Sequence, residues 1–264
     1  MIRRRDLVTL LGGAAAWPLA RELVDFQPDV ILTGGTPATA AFQRETQTIP
    51  IVFAALGDPV ASGIVPNLNQ PGGNVTGFAA FEASLAGKWL ELLSEIAPGL
   101  KQAAIMFNPD ISLVSSFMPL FETAARSLKV EAITAPVHSE VEIETNIIAL
   151  GREPGGGLVV MPDEFMDRAP MILAAARNNV PAVYSISEAT RDGGLLSYGT
   201  DQVDPWRRAA TYVDRILRGE KPGDLPVQLP TKFEMVVNLG PPRHSVLPYP
   251  HRYCFALMSR SNSC

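Results

Sequence analysis

The chain has 264 residues and a formal net charge of -5, with 47% hydrophobic and 19% charged residues. That length can bury one large core or two modest ones, and the mild acidity excludes the basic face that nucleic acid calls for. Cys254, Cys264, His138, His244 and His251 are too scattered for a zinc site.

The first twenty residues read as an export signal. Arg3-Arg4-Arg5 is a basic start, Asp6 follows, and the stretch from Leu7 to Ala20 is mostly apolar. Arg4-Arg5-Asp6-Leu7-Val8 fits a twin-arginine pattern, and the apolar stretch is too short and too glycine-containing for a membrane span. Its exit is indistinct, because Trp17-Pro18-Leu19-Ala20 runs straight into a helix-like segment ending near Phe26. A partly buried N-terminal helix is the competing reading.

From Arg21 onward, short apolar runs alternate with helical patterns, which predicts α/β architecture with parallel sheets. Asp29 to Pro59 holds the same device twice. Val30-Ile31-Leu32 ends at Thr33-Gly34-Gly35 and opens into Thr36-Pro37-Ala38; Ile51-Val52-Phe53-Ala54-Ala55 ends at Leu56-Gly57 and opens into Asp58-Pro59. Thr36 and Asp58 are expected as N-caps before a proline at the first helical position. Two helix N-termini would then lie side by side at the carboxyl edge of a sheet, a ready place for an anion or a ligand carboxylate. Two ordinary capped helices are the plainer reading of the same residues.

The second helix is expected to run to Leu68, stopped by Asn69-Gln70-Pro71-Gly72-Gly73-Asn74. Val75 to Phe78 reads as a short strand, and Ser84 caps a helix whose face carries Leu85, Trp89, Leu92, Leu93 and Ile96. After Pro98-Gly99 a second series begins. Strands are expected at 103–107, 130–137, 157–161, 181–186 and 195–198, with helices led by Ser112 or Ser115, by the capping box Ser139-Glu140-Val141-Glu142, and by a start near Asp167. A long helix from Val203 to Leu217 should bury Trp206, Ala210, Val213 and Leu217, and a strand should cover Lys232 to Leu239. The pattern gives two α/β lobes: 21–99 with about 199–220, and 100–198 with about 226–239. Their strand ends would place 33–36 and 55–58 opposite Asn108, Asp163 and 184–188, across a ligand cleft.

Ile49-Pro50-Ile51-Val52-Phe53-Ala54, Asp58-Pro59-Val60 and Pro71-Gly72-Gly73-Asn74-Val75-Thr76-Gly77 resemble the TrpX-like substrate-binding proteins of ABC transporters. Ser197-Tyr198-Gly199, Arg207-Arg208-Ala209-Ala210 and Leu229-Pro230-Thr231-Lys232-Phe233-Glu234 are similar to later segments of that family. The resemblance implies a type I periplasmic-binding fold of two Rossmann-like lobes, a small amino-acid-like solute, an ABC permease as membrane partner, a periplasmic location, and neither cofactor nor catalysis. It also implies a strand–helix–strand segment before Arg21 that this chain lacks, so a truncated first lobe with an exposed sheet edge is expected. The stretch 240–264 departs from the family as an irregular tail.

By that resemblance Thr33, Thr36, Pro37 and Ala38 form the first loop and Ala55 and Asp58 belong to the second, with Asn108, Asp163, Tyr184 and Glu188 facing them and Tyr198 near the crossing. On this reading the backbone amides at the helix N-termini of Thr36 and Asp58 hold the ligand carboxylate. Asp58 caps its turn or meets an amine, and Asp163 and Glu188 meet the ammonium. Tyr184 either stacks on the ligand or belongs to the core, and Asn108 is either a contact or the cap of its turn with Pro109. A Rossmann-like transferase is the main alternative, but no G-x-G-x-x-G follows a strand, no Walker A run occurs, and no nucleophile elbow is present. A repressor effector domain would need a DNA-binding helix pair in place of the signal-like start. A shortened product that binds nothing is the remaining alternative.

Overall fold

A computed structural model describes residues 7–11, 16–109, 114–162 and 168–239. The chain divides into two units, which are taken in turn. The first comprises Met1–Leu85, Leu113–Met118 and Gly199–Glu234, and the second Ala86–Ser112, Pro119–Tyr198 and Met235–Cys264. The last crossing falls later than the expected return near residue 226, because Leu225 to Gln228 is laced to the first unit by hydrogen bonds.

The first unit is built on four parallel strands in the order β1 (Leu7–Leu11), β2 (Val30–Gly34), β3 (Ile51–Leu56), β4 (Val75–Ala79). Successive side chains leave opposite faces of a strand, so near-continuous apolar runs mean that both faces are covered. One face buries Ile31, Ile51, Phe53 and Val75 under Ala20 of α1 (Ala16–Asp25) and Ala38, Ala41 and Phe42 of α2 (Thr36–Glu45). The other buries Val30, Val52, Ala54 and Phe78 under the long helix Asp204–Leu217, which becomes α8 in chain order. That helix buries Ala209, Tyr212, Val213 and Ile216, a stripe rotated from the expected one, and Ala210 is exposed.

The run Pro71 to Gly77 does structural work. Gly72 and Gly73 take successive left-handed conformations, with φ of 66° and 59°. Buried Asn74 then donates from Nδ2 to the carbonyls of Thr46 and Ile49, at 3.2 and 2.8 Å. Thr76 Oγ1 donates to the Leu225 carbonyl at 2.6 Å. At Gly77 a Cβ would lie 2.1 Å from the Phe53 carbonyl oxygen, so only glycine lets β4 approach β3 this closely. Gln228 N–H donates to the Gly77 carbonyl, and Ala79 N–H donates back to Gln228.

The second unit follows α3 (Leu85–Ile96), whose expected apolar face is buried at every position. Its elements are β5 (Gln102–Phe107), α4 (Val114–Leu128), β6 (Glu131–Pro136), α5 (Glu140–Gly151), β7 (Gly156–Val160), α6 (Arg168–Arg177), β8 (Ala182–Tyr184), α7 (Ser187–Arg191), β9 (Leu196–Thr200) and β10 (Phe233–Val237). The sheet order is β10-β9-β8-β7-β5-β6, parallel from β9 through β6. Half of the capping box forms: Ser139 Oγ accepts from Glu142 N–H at 3.3 Å, while the Glu142 carboxylate accepts from the N–H of His138, one residue before the cap, at 2.6 Å. This bond to the backbone holds the Glu142 carboxyl below its ordinary range.

Two expectations are corrected. Residues 58–68 form successive turns and no helix. Gly63 is left-handed with φ of 70°, and Pro66 has no N–H to give, so an α-helix cannot propagate. The edge of β2, expected to lack a neighbour, is occupied: Leu7 to Leu11 pair in register with Val30 to Gly34. The apolar stretch read as a signal core is thus a strand here, and α1 contains the residues on both sides of Ala20.

Candidate functional site

Parallel sheets present their ligand-binding loops at the carboxyl ends of the strands. In the first unit those ends bring Thr33, Thr36, Pro37, Ala38, Ala55 and Asp58 to one edge, since β2 and β3 are register neighbours with Thr33 beside Phe53. Thr36 is not the N-cap of α2. Gly35 is, with φ of 76°, and no side chain caps the helix. A helix leaves its first amides without intrahelical acceptors, so Thr36 and Ala38 N–H face an end at which the cap residue brings no acceptor of its own. Pro37 contributes no N–H. The turn is locked from below: Thr39 Oγ1 donates to the Gly35 carbonyl at 2.8 Å and lies 2.8 Å from buried Thr33 Oγ1. Thr39 and Gly35 were not picked out from the sequence, although a hydroxyl four residues after a Gly-Gly pair is the signal to look for.

The second loop is built differently. Ala55 has φ of 54° inside β3, where the β3–β4 register shifts between Phe53 and Leu56. The other non-glycine residues with positive φ (Gln27, Lys129 and Asn179) each lie one or two positions beyond a helix end, where this conformation is ordinary. Ala55 alone among them strains a strand, and strain of this kind collects at functional sites. Asp58 Oδ1 accepts from Val60 and Ala61 N–H at 3.1 and 2.9 Å. Asp58 therefore caps its own turn, the first of its two expected roles.

In the second unit, Asn108 follows β5, Tyr184 ends β8, Glu188 lies four residues past it and Tyr198 sits within β9; Asp163 lies outside the described residues. Asn108 and Tyr198 are half-buried, and the Tyr198 carbonyl accepts from Trp89 Nε1 at 2.6 Å. Tyr184 is 2% exposed and packed in the core with Ala182 and Ala189, and burial pushes its hydroxyl pKa well above the ordinary phenol value. Of its two expected roles it fills the core one. Glu188 stands in the first turn of α7, a short helix the sequence reading left as loop. Its Oε1 lies 3.8 Å from exposed Arg191, whereas its Oε2 is buried and has no hydrogen-bond partner among the described residues. The buried hydroxyls of Thr190 and Ser197 are likewise unmatched; neither was singled out from the sequence. A buried carboxylate oxygen without a donor is costly and calls for a partner. Elsewhere, Asp204 meets Lys232 Nζ at 2.8 Å, which with Arg208 holds its carboxyl below the ordinary range; this cluster serves α8 and the segment before β10.

Two parallel α/β units fit the class of solute-binding proteins. The match to the ABC transporter substrate binding protein family runs over residues 13–250, and the chain belongs to that family. A tyrosine-binding protein of Clostridioides difficile (strain R20291) is 25% identical over 221 residues, covering 83% of this chain; the chain spans 64% of that relative's length. A crystal structure of a conserved domain protein from Vibrio cholerae is 30% identical, with a TM-score of 0.77 over 85% of this chain and 75% of that one. The fold is shared at 23% identity with an ABC domain in complex with L-Trp from Streptococcus pneumonia, with a TM-score of 0.76 over 84% of this chain and 75% of that one. The family is one of substrate-binding proteins, whose members typically work outside the cytoplasm. No helix among the described residues is long and apolar enough to cross a membrane.

Proposed function

We propose that this protein captures a free amino acid for an ABC importer; within the first unit the first-turn amides of α2 are the candidate for a carboxylate, and within the second unit Glu188 is the candidate for an ammonium. The observation that carries the reading is Glu188, a part-exposed side chain beside Arg191 whose Oε2 is buried and has no hydrogen-bond donor among the described residues, four positions past the end of β8. An ammonium supplies both the charge and the hydrogen bond that this oxygen lacks. At α2 the complementary logic applies, because amide donors and the helix dipole favour an anion. Thr33 and Ala55 shape that edge through backbone and packing, and Asn108, Asp163 and Tyr198 are the further candidates for ligand contact. The relatives named for tyrosine and complexed with tryptophan support an aromatic amino acid as the solute. The work is done outside the cytoplasm, with Arg3 to Ala20 as the address and a membrane permease as the recipient. No bond is broken: the ligand favours one conformation over another, and the permease reads the difference.

A thermal-shift screen of the full chain against the twenty amino acids tests this. A ligand present at one hundred times its Kd adds about 2.7 kcal/mol, which raises Tm by roughly 5 to 10 °C for a chain of this size. Tyrosine or tryptophan is expected to give the largest shift. A shift from a nucleotide sugar with none from any amino acid would instead favour the transferase reading.

A further inference from the structure

The stretch that reads as an export signal is also part of the first unit's core. Leu7 to Leu11 pair in register with β2 over five residues, and α1 follows from Ala16. Ala20 is fully buried, and Leu23 and Val24, three and four positions on, pack against the same cluster as Ile31, Phe42 and Phe53. The end of α1 is fastened: Gln27 takes the left-handed conformation with φ of 51°, and its N–H and Nε2 both donate to the Val24 carbonyl, at 2.9 and 3.1 Å.

A cut after Ala20 would sever α1 and leave Arg21–Asp25, too short to stay helical alone, while removing a side chain from the core. A cut after Ala16, at the end of Ala14-Ala15-Ala16, would spare most of α1 but detach β1. Either cut leaves β2 as an edge strand. Val30 and Ile31 of that strand are fully buried on the two faces of the sheet, so the result is an apolar strand with open backbone groups, an invitation to aggregate.

From this geometry we propose that residues 7–25 stay in the mature protein as the edge strand and covering helix of the first unit. The stretch is read as an address before it folds, and is then kept rather than discarded.

Two measurements on the full chain test this. The intact mass of protein recovered from the compartment it occupies should include residues 1–20. Hydrogen exchange of the folded protein should slow the amides of Val8 to Leu11 that face β2 by about 100-fold relative to unstructured chain. A mass short by the residues up to Ala16 or Ala20, or exchange across Val8 to Leu11 at the unstructured rate, overturns the proposal. Thr9→Pro and Leu10→Pro add a readout: alternate residues of a parallel edge strand face the neighbour, so one of the two should lower Tm more than the other, whereas equal Tm values at the unmodified level count against pairing. The functional reading is tested separately. A processed chain that binds amino acids defeats this inference alone, and an unprocessed chain that binds none defeats only the functional reading.

Discussion

The loops after β2 and β3 look like copies in the sequence and behave as opposites in the fold. Both are an apolar run, a glycine, a polar residue and a proline. The first becomes a helix whose cap, Gly35, has no side chain to offer, so its leading amides are left for something else. The second becomes a chain of turns whose polar residue, Asp58, satisfies the local amides itself. One loop presents donors; the other consumes them. The lesson is that a helix-start signature fixes the first turn, and what lies several residues on, here Gly63 and Pro66 against an unbroken Ala38 to Arg44, decides whether a helix and its dipole follow.

Substitutions can break this contrast. The largest effect is expected at Gly77, the close approach on which the β3 loop rests. Gly77→Ala drives a Cβ into the Phe53 carbonyl and should cost about 3 kcal/mol or more, read by urea unfolding. Asp58→Ala removes the acceptor of two turn amides and should cost about 1 kcal/mol in the same assay. Ala55→Gly relieves the left-handed strain inside β3 and should stabilise by about 0.5 kcal/mol after the added freedom of the unfolded chain is counted. Thr36→Ala should be the mildest, within about 0.5 kcal/mol in stability, and it should leave ligand affinity unchanged because the N–H stays. If Thr36→Ala proved as costly as Asp58→Ala, the two loops would be alike after all.

Local chemistry was legible in the sequence. The α3 face from Leu85 to Ile96 follows the helical period, and Ser139 with Glu142 closes within four residues, so both needed no tertiary information. The parallel sheets and the two-unit plan followed from the alternation of elements. What was not legible depends on partners distant in the chain. The mostly apolar run from Leu7 to Leu11 suits a signal core as well as a strand, and only the pairing with β2 reveals the strand. Tyr184 at a strand end suits a ligand or a core, and its burial beside Ala189 and against Gly194 decides for the core. The stripe of α8 was misread because Tyr212, whose hydroxyl donates to the Pro226 carbonyl at 2.7 Å, is turned inward by a segment that returns after the helix.

The central proposal is that this chain binds an amino acid, with α2 of the first unit suited to a carboxylate and Glu188 of the second unit suited to an ammonium. Calorimetry of the unmodified protein and of Glu188→Gln, each with L-tyrosine and with its deaminated analogue 3-(4-hydroxyphenyl)propionate, isolates the second contact. The account predicts that the substitution weakens tyrosine binding by about tenfold or more, the worth of a charge-assisted bond, while binding of the deaminated acid is unchanged or improved. Equal weakening of both ligands, or no weakening of tyrosine, would contradict it.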